Sequence, residues 1–110
     1  MKIINLSRGQ GKTTRLLYAS EWNDVPILCA TESNKKHLID TAKRLGLNIP
    51  EPIAVTDLTH NTIRGSDLAK KDLFVDEAPW VLQSLLNSMG MMGGIKAITL
   101  SERENDNEIN

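Results

Sequence analysis

The chain has little of several things that would assign it to a special class of protein. Its single cysteine, Cys29, lies in the apolar stretch 27–30, so no internal disulfide can form, and we expect a small core residue in a cytoplasmic protein. Aromatic residues make up only 4%, which predicts a core of aliphatic side chains. No apolar run approaches the roughly 18 residues of a membrane span, and no signal-peptide-like segment opens the chain, so we expect no membrane partner.

The chain also lacks an excess of charge of either sign. Its formal net charge is -1, so there is no global positive field that would concentrate it on nucleic acid. Contact with nucleic acid would have to be local, for example through Lys35-Lys36 and Lys43-Arg44, although a solvated helix face has the same composition. Nucleic acid is therefore a weakly supported partner.

What the sequence does contain is an alternation of short apolar strands and amphipathic helices. Strands are predicted at Lys2–Leu6, Val25–Ala30, Ile53–Val55, Leu73–Val75 and Ile95–Leu100. Helices are predicted at Thr13–Trp22, from a cap at Ser33 or Asn34 to Leu45, and from Pro79 to Met89, with one further turn at Ser66–Lys70. This order predicts one α/β domain over residues 1–101, with a mostly parallel sheet of about five strands and helices on both faces. Residues 102–110 are polar and acidic, and we expect a disordered tail.

A glycine-containing loop joins the first predicted strand to the first helix. It comprises Ser7, Arg8, Gly9, Gln10, Gly11, Lys12, Thr13 and Thr14. Such a loop can turn several backbone N–H groups and a helix N-terminus toward one phosphate, while a lysine adds a mobile positive charge and the hydroxyl after it suits a magnesium ion. The full pattern would need glycine where this chain has Leu6, so the match covers its second half. The alternative is a solvated glycine turn.

Polar residues follow the carboxyl ends of the predicted strands, where ligands bind in parallel sheets. Lys12 and Thr13 follow the first strand, Asp76 and Glu77 follow Leu73–Val75, and Thr31, Thr99 and Ser101 stand at other strand ends. Phosphoryl transfer needs cations at the phosphates, a hydroxyl and a carboxylate for magnesium, and a group that orients the nucleophile. Lys12, Thr13, Asp76 and Glu77 match these roles in that order. The acid pair would also serve as a simple helix cap before Pro79.

These motifs resemble those of the additional-glutamate P-loop NTPases, in which an apolar strand ends in Asp-Glu. The loop Ser7–Thr13 is similar to that of phage large terminases, and Thr62–Gly65 ahead of Asp72–Ala78 is similar to their acidic segment. Two-domain helicases give a similar match, with Cys29–Thr31 near their second motif and Thr99–Ser101 near their third. The resemblance implies a minimal P-loop NTPase domain of phage origin that hydrolyses ATP with Mg²⁺. It also implies Arg8 as an arginine finger in cis and Thr99 and Ser101 as sensors.

Three functions stay open at this point. Those relatives carry a further lobe after this core, so we expect an ATPase that acts with a partner protein or as a homo-oligomer. A nucleoside or small-molecule kinase is the second possibility, since Asp-Glu-Ala after an apolar strand also resembles thymidine kinase-like proteins. The third is a nucleotide-binding regulatory module without turnover. Of the remaining residues, we expect His37 and His60 to be exposed. We expect Trp22 and Trp80 to pack in the interior rather than to serve as base-stacking platforms.

Overall fold

The computed structural model describes residues 11–60 and 71–99 of the chain. The helices are α1 (Lys12–Asn23), α2 (Glu32–Arg44), α3 (Val55–His60) and α4 (Ala78–Ser88), and the strands are β1 (Ile27–Cys29), β2 (Ile53–Ala54) and β3 (Phe74–Val75). The predicted α/β architecture is thereby confirmed. None of these four helices combines the length and the apolar character needed to cross a bilayer.

The three strands form a parallel sheet in the order β2-β1-β3. Leu28 of β1 lies opposite Ile53 on one side and Val75 on the other. Beyond β3 the ladder continues through Asp76, whose backbone N–H donates to the Leu28 carbonyl at 3.0 Å. The sheet therefore holds the start of the acid pair directly beside the central strand.

Helices cover both faces of the sheet, as the sequence predicts. Ile27 and Cys29 point to a cluster with the leucines of α1 and with Leu38 of α2. The alternate residues Leu28 and Ala30 join a second cluster with α3 and α4. All of β1 is buried, which explains why its sequence is continuously apolar rather than alternating.

The expectation of about five strands is wrong for the described part of the chain, which contains three. The predicted strand Lys2–Leu6 lies outside the described residues. Residues 95–99 of the predicted last strand are described and form no strand. Their backbone is held by a helix side chain instead, since the Ile95 N–H donates to Gln83 Oε1 at 2.6 Å. The predicted tail 102–110 and the turn at Ser66–Lys70 also lie outside the described residues.

Three local predictions need correction. The cap of α2 is Thr31, whose hydroxyl accepts the Asn34 N–H at 3.1 Å, and not Ser33 or Asn34. Val55 starts α3 instead of extending β2. Trp22 and Trp80 do not pack in the interior, because they are 80% and 71% exposed.

Candidate functional site

The described end of the glycine loop starts helix α1. Gly11 precedes the helix with φ of 75°, a left-handed conformation that favours glycine, and its carbonyl accepts the Arg15 N–H at 2.9 Å. Lys12, Thr13 and Thr14 then form the first turn of α1, where backbone N–H groups lack acceptors within the helix. The predicted site residues Ser7, Arg8, Gly9 and Gln10 lie outside the described residues.

The acid pair lies between β3 and α4. Asp76 continues the sheet ladder, and Glu77 occupies the residue before α4 with φ of 57°, also left-handed. The Glu77 carbonyl accepts the N–H groups of Trp80 at 2.9 Å and Val81 at 3.1 Å, which starts the helix. Its side chain makes no capping hydrogen bond to α4, so among the described residues the carboxylate is not used as a helix cap.

The structure brings the loop and the acid pair into direct contact. Lys12 Nζ lies 2.9 Å from Glu77 Oε1, with the two side chains 32% and 43% exposed. Thr13 forms a side-chain hydrogen bond with Asp76. Lys12 and Glu77 are 65 positions apart in the chain and Thr13 and Asp76 are 63 apart, and both pairs meet at one end of the sheet.

The charge environment of Asp76 differs from that of an ordinary surface carboxylate. Burial, followed by the neighbouring Glu77 carboxylate, raises the pKa of Asp76 above its usual value. Lys12, the Thr13 hydrogen bond and His37 act in the opposite direction. A bound cation would offset the cost of keeping the Asp76 carboxylate ionised, and the neighbouring Thr13 hydroxyl offers it a second oxygen ligand.

His37 is a member of this environment that the sequence did not identify. It is exposed on α2, as expected, and its charge acts on Asp76 from the helix that follows β1. The sequence signal for His37 was its place in the second turn of α2, the helix that follows β1. A helix that follows a strand of a parallel sheet begins at the edge where ligands bind. Cys29 is buried nearby, and burial together with the Asp76 charge raises the pKa of its thiol to about 11.

Of the other predicted strand-end residues, Thr31 and Thr99 lie in the described part of the chain. The Thr31 hydroxyl serves as the cap of α2. Thr99 is described but ends no strand, and Ser101 lies outside the described residues. Neither therefore gains support as a sensor.

Thr13 and Asp76 provide an oxygen donor set of the kind that magnesium prefers. Within residues 11–60 and 71–99, no group of three or more His, Cys, Asp or Glu side chains is arranged to hold a metal ion. Magnesium does not require such a group, because it is usually bound through one or two protein oxygens together with substrate phosphates and water. The residues present therefore fit this ion.

A second polar cluster lies at the end of β2. Lys35 Nζ contacts Asp57 Oδ2 at 3.1 Å and Glu51 Oε1 at 3.5 Å. Asp57 Oδ2 also accepts the Ala54 N–H at 2.9 Å. This cluster ties α2 to β2 and α3, so its role is explained by the fold.

The geometry of Lys12, Thr13, Asp76 and Glu77 is the basis for assigning a function to this chain. Comparisons with protein-family models, with curated proteins and with solved structures find no match for it.

Proposed function

We propose that the chain binds a nucleoside triphosphate, with ATP the expected one, and hydrolyses it in the presence of magnesium. The observation that carries this proposal is the contact of Lys12 with Glu77, beside the hydrogen bond between Thr13 and Asp76, at one end of a parallel sheet. A cation, a hydroxyl and two carboxylates are the side chains that phosphoryl transfer needs at one place.

Each residue has a proposed role in the reaction. Lys12 and the first turn of α1 bind the phosphates. Thr13 and Asp76 would hold Mg²⁺, which supplies positive charge against that of the phosphates. Glu77 orients a water molecule and accepts its proton. The water oxygen then bonds to the γ-phosphorus while the bridging oxygen leaves with the nucleoside diphosphate.

The Lys12–Glu77 pair also suggests how the charges of the site are balanced before the substrate binds. Each side chain compensates the charge of the other at 2.9 Å. A triphosphate offers Lys12 a stronger anionic partner, so binding would free the Glu77 carboxylate for water. Arg8 is proposed to reach the γ-phosphate from the preceding loop, and a partner protein or second copy of the chain is proposed to assist turnover.

The test is steady-state phosphate release from ATP with magnesium, comparing the parent chain with Lys12→Ala and Glu77→Gln. Both variants should lose most of the activity, whereas Lys36→Ala, which removes an exposed lysine elsewhere, should keep it. The Lys12–Glu77 pair is partly exposed, so its loss should change the free energy of unfolding by no more than about 1 kcal/mol. The proposal fails if the parent releases no phosphate at any chain concentration, or if both variants match it.

A further inference from the structure

A cleft lies beside α4, separate from the residues of the proposed phosphate site. It has a volume of about 540 Å³ and is bordered by residues along α4 from Pro79 to Asn87, by residues 30 and 31 after β1, and by residues 95–98. This volume is in the range of small-molecule sites, about 300–1,000 Å³. Lys12, Thr13, Asp76 and Glu77 do not line it.

Side-chain hydrogen bonds hold the walls of this cleft in place. Gln83 Oε1 accepts the Ile95 N–H at 2.6 Å, and Gln83 Nε2 donates to the Gly93 carbonyl at 3.0 Å. Ser84 Oγ donates to the Ala30 carbonyl at 3.0 Å, which fixes α4 against the end of β1. The cleft is therefore built by specific contacts between its own walls.

The lining of the cleft favours a flat ligand that carries negative charge. Trp80 lines it and is 71% exposed, so an aromatic surface is available for stacking. Asn87 lines it as well, and its amide oxygen accepts from Gln83 Nε2 at 2.9 Å, which leaves its NH₂ group as a donor for a ligand. Among the described residues that line the cleft, Lys96 is the one with an ionisable side chain.

We propose that this cleft binds the base of a nucleotide other than the proposed triphosphate. The base stacks on Trp80, the Asn87 amide donates to its edge, and Lys96 contacts its phosphate. Aromatic stacking and amide contacts are the general means by which proteins bind bases. The backbone N–H of Trp80 donates to the Glu77 carbonyl at 2.9 Å, so the residue on which the base stacks is one helical turn from the acid pair. The inference does not depend on hydrolysis.

The experiment uses the tryptophan that lines the cleft as the probe. The chain has two tryptophans, so Trp22→Phe leaves Trp80 as the only one, and Trp80→Phe leaves Trp22, which is 80% exposed on α1. AMP, dTMP and a hexathymidylate are titrated without magnesium or triphosphate. We expect saturable quenching in Trp22→Phe and no saturable change in Trp80→Phe.

Calorimetry on two further variants tests the assigned contacts. Trp80→Ala should weaken binding at least about fivefold, the lower end of base-aromatic stacking. Lys96→Gln should abolish the preference for a mononucleotide over its nucleoside while leaving nucleoside affinity unchanged. Quenching by mononucleotides identifies a free nucleotide as the ligand, and quenching by the hexathymidylate alone identifies a single strand.

Two results would overturn the inference. One is the absence of saturable quenching with all three ligands. The other is loss of quenching when Lys12→Ala is added to Trp22→Phe, because the nucleotide would then be bound at the phosphate site. Neither result bears on phosphate release, which is measured separately.

Discussion

At the scale of single residues, Glu77 combines two unusual features. Its backbone adopts a left-handed conformation with φ of 57°, and its carboxylate pairs with Lys12 instead of capping α4. A left-handed conformation costs a non-glycine residue roughly 1–2 kcal/mol. Such outliers persist where the surrounding structure enforces them and are concentrated at functional sites. Glu77 thus stands at a place where glycine would be less strained.

This strain can be measured with two variants that both remove the carboxylate. Glu77→Gly should be more stable than Glu77→Ala by about 1 kcal/mol, because glycine adopts the left-handed conformation without strain. This difference is what is left after the greater entropy of glycine in the unfolded chain, which lowers stability. Urea unfolding followed by circular dichroism gives both free energies. Equal stability of the two variants would mean that the backbone at Glu77 is not strained.

At the scale of elements, the start of α2 provides a direct test of the observed cap. Thr31→Ala should lower the free energy of unfolding by about 1 kcal/mol, since it removes the acceptor of the Asn34 N–H. Ser33→Ala is the matched control, because Ser33 is exposed two residues further along and is not the cap. Chemical denaturation of the two variants is the measurement. A larger loss in Ser33→Ala would favour the cap that the sequence suggested.

Many of the helices and strands could be predicted because apolar residues recur in the sequence with the helix or strand period. The inward face of α1 is an example, since its four buried residues follow helical spacing: Leu16, Leu17, Ala19 and Ser20. In α4 the buried residue is Val81, while Leu82 is 39% exposed. Periodicity gives the helix, but the direction of its buried face depends on what packs against it. Whether an apolar stretch forms a strand likewise depends on what packs against it, and residues 95–98 form no strand although their sequence is mostly apolar.

The candidate site could be predicted in part. The carboxyl ends of parallel strands meet at one edge of the sheet, and this rule was enough to predict that four residues lie close together: Lys12, Thr13, Asp76 and Glu77. It could not give the pairing of Lys12 with Glu77, the left-handed backbone at Glu77 or the effect of His37 on Asp76. These depend on side-chain directions and on the packing of α2, which no short motif encodes.

At the scale of the whole molecule, two carboxylates have opposite effects on stability as the pH changes. The Ala54 N–H, with Lys35, lowers the pKa of Asp57 below its usual 3.8. The ionised Asp57 carboxylate therefore stabilises the fold above pH 3.8, and this stabilisation is lost as the pH falls through the lower pKa of Asp57 in the folded state. Burial and the Glu77 charge raise the pKa of Asp76, so ionised Asp76 destabilises the fold at neutral pH. That penalty is relieved as the pH falls through its raised pKa toward 3.8.

Two amide variants should separate these effects. Asp57→Asn should lower stability at pH 7 and weaken the loss of stability in acid. Asp76→Asn should raise stability at pH 7, with a gain that shrinks as the pH falls toward 3.8. Urea unfolding from pH 3 to pH 8, relative to the parent chain, measures both. The assignment is contradicted if the two substitutions change stability at pH 7 in the same direction.

The two apolar clusters have a consequence for how the molecule opens. Both are built on the same short strands, with Ile27, Cys29 and Ala54 on one face and Leu28, Ala30 and Ile53 on the other. Separating either helical layer uncovers one side of strands whose other side is still packed. The layers therefore cannot act as independent folding units, and the amide hydrogens of β1, which is the central strand, should exchange only through the global opening of the domain.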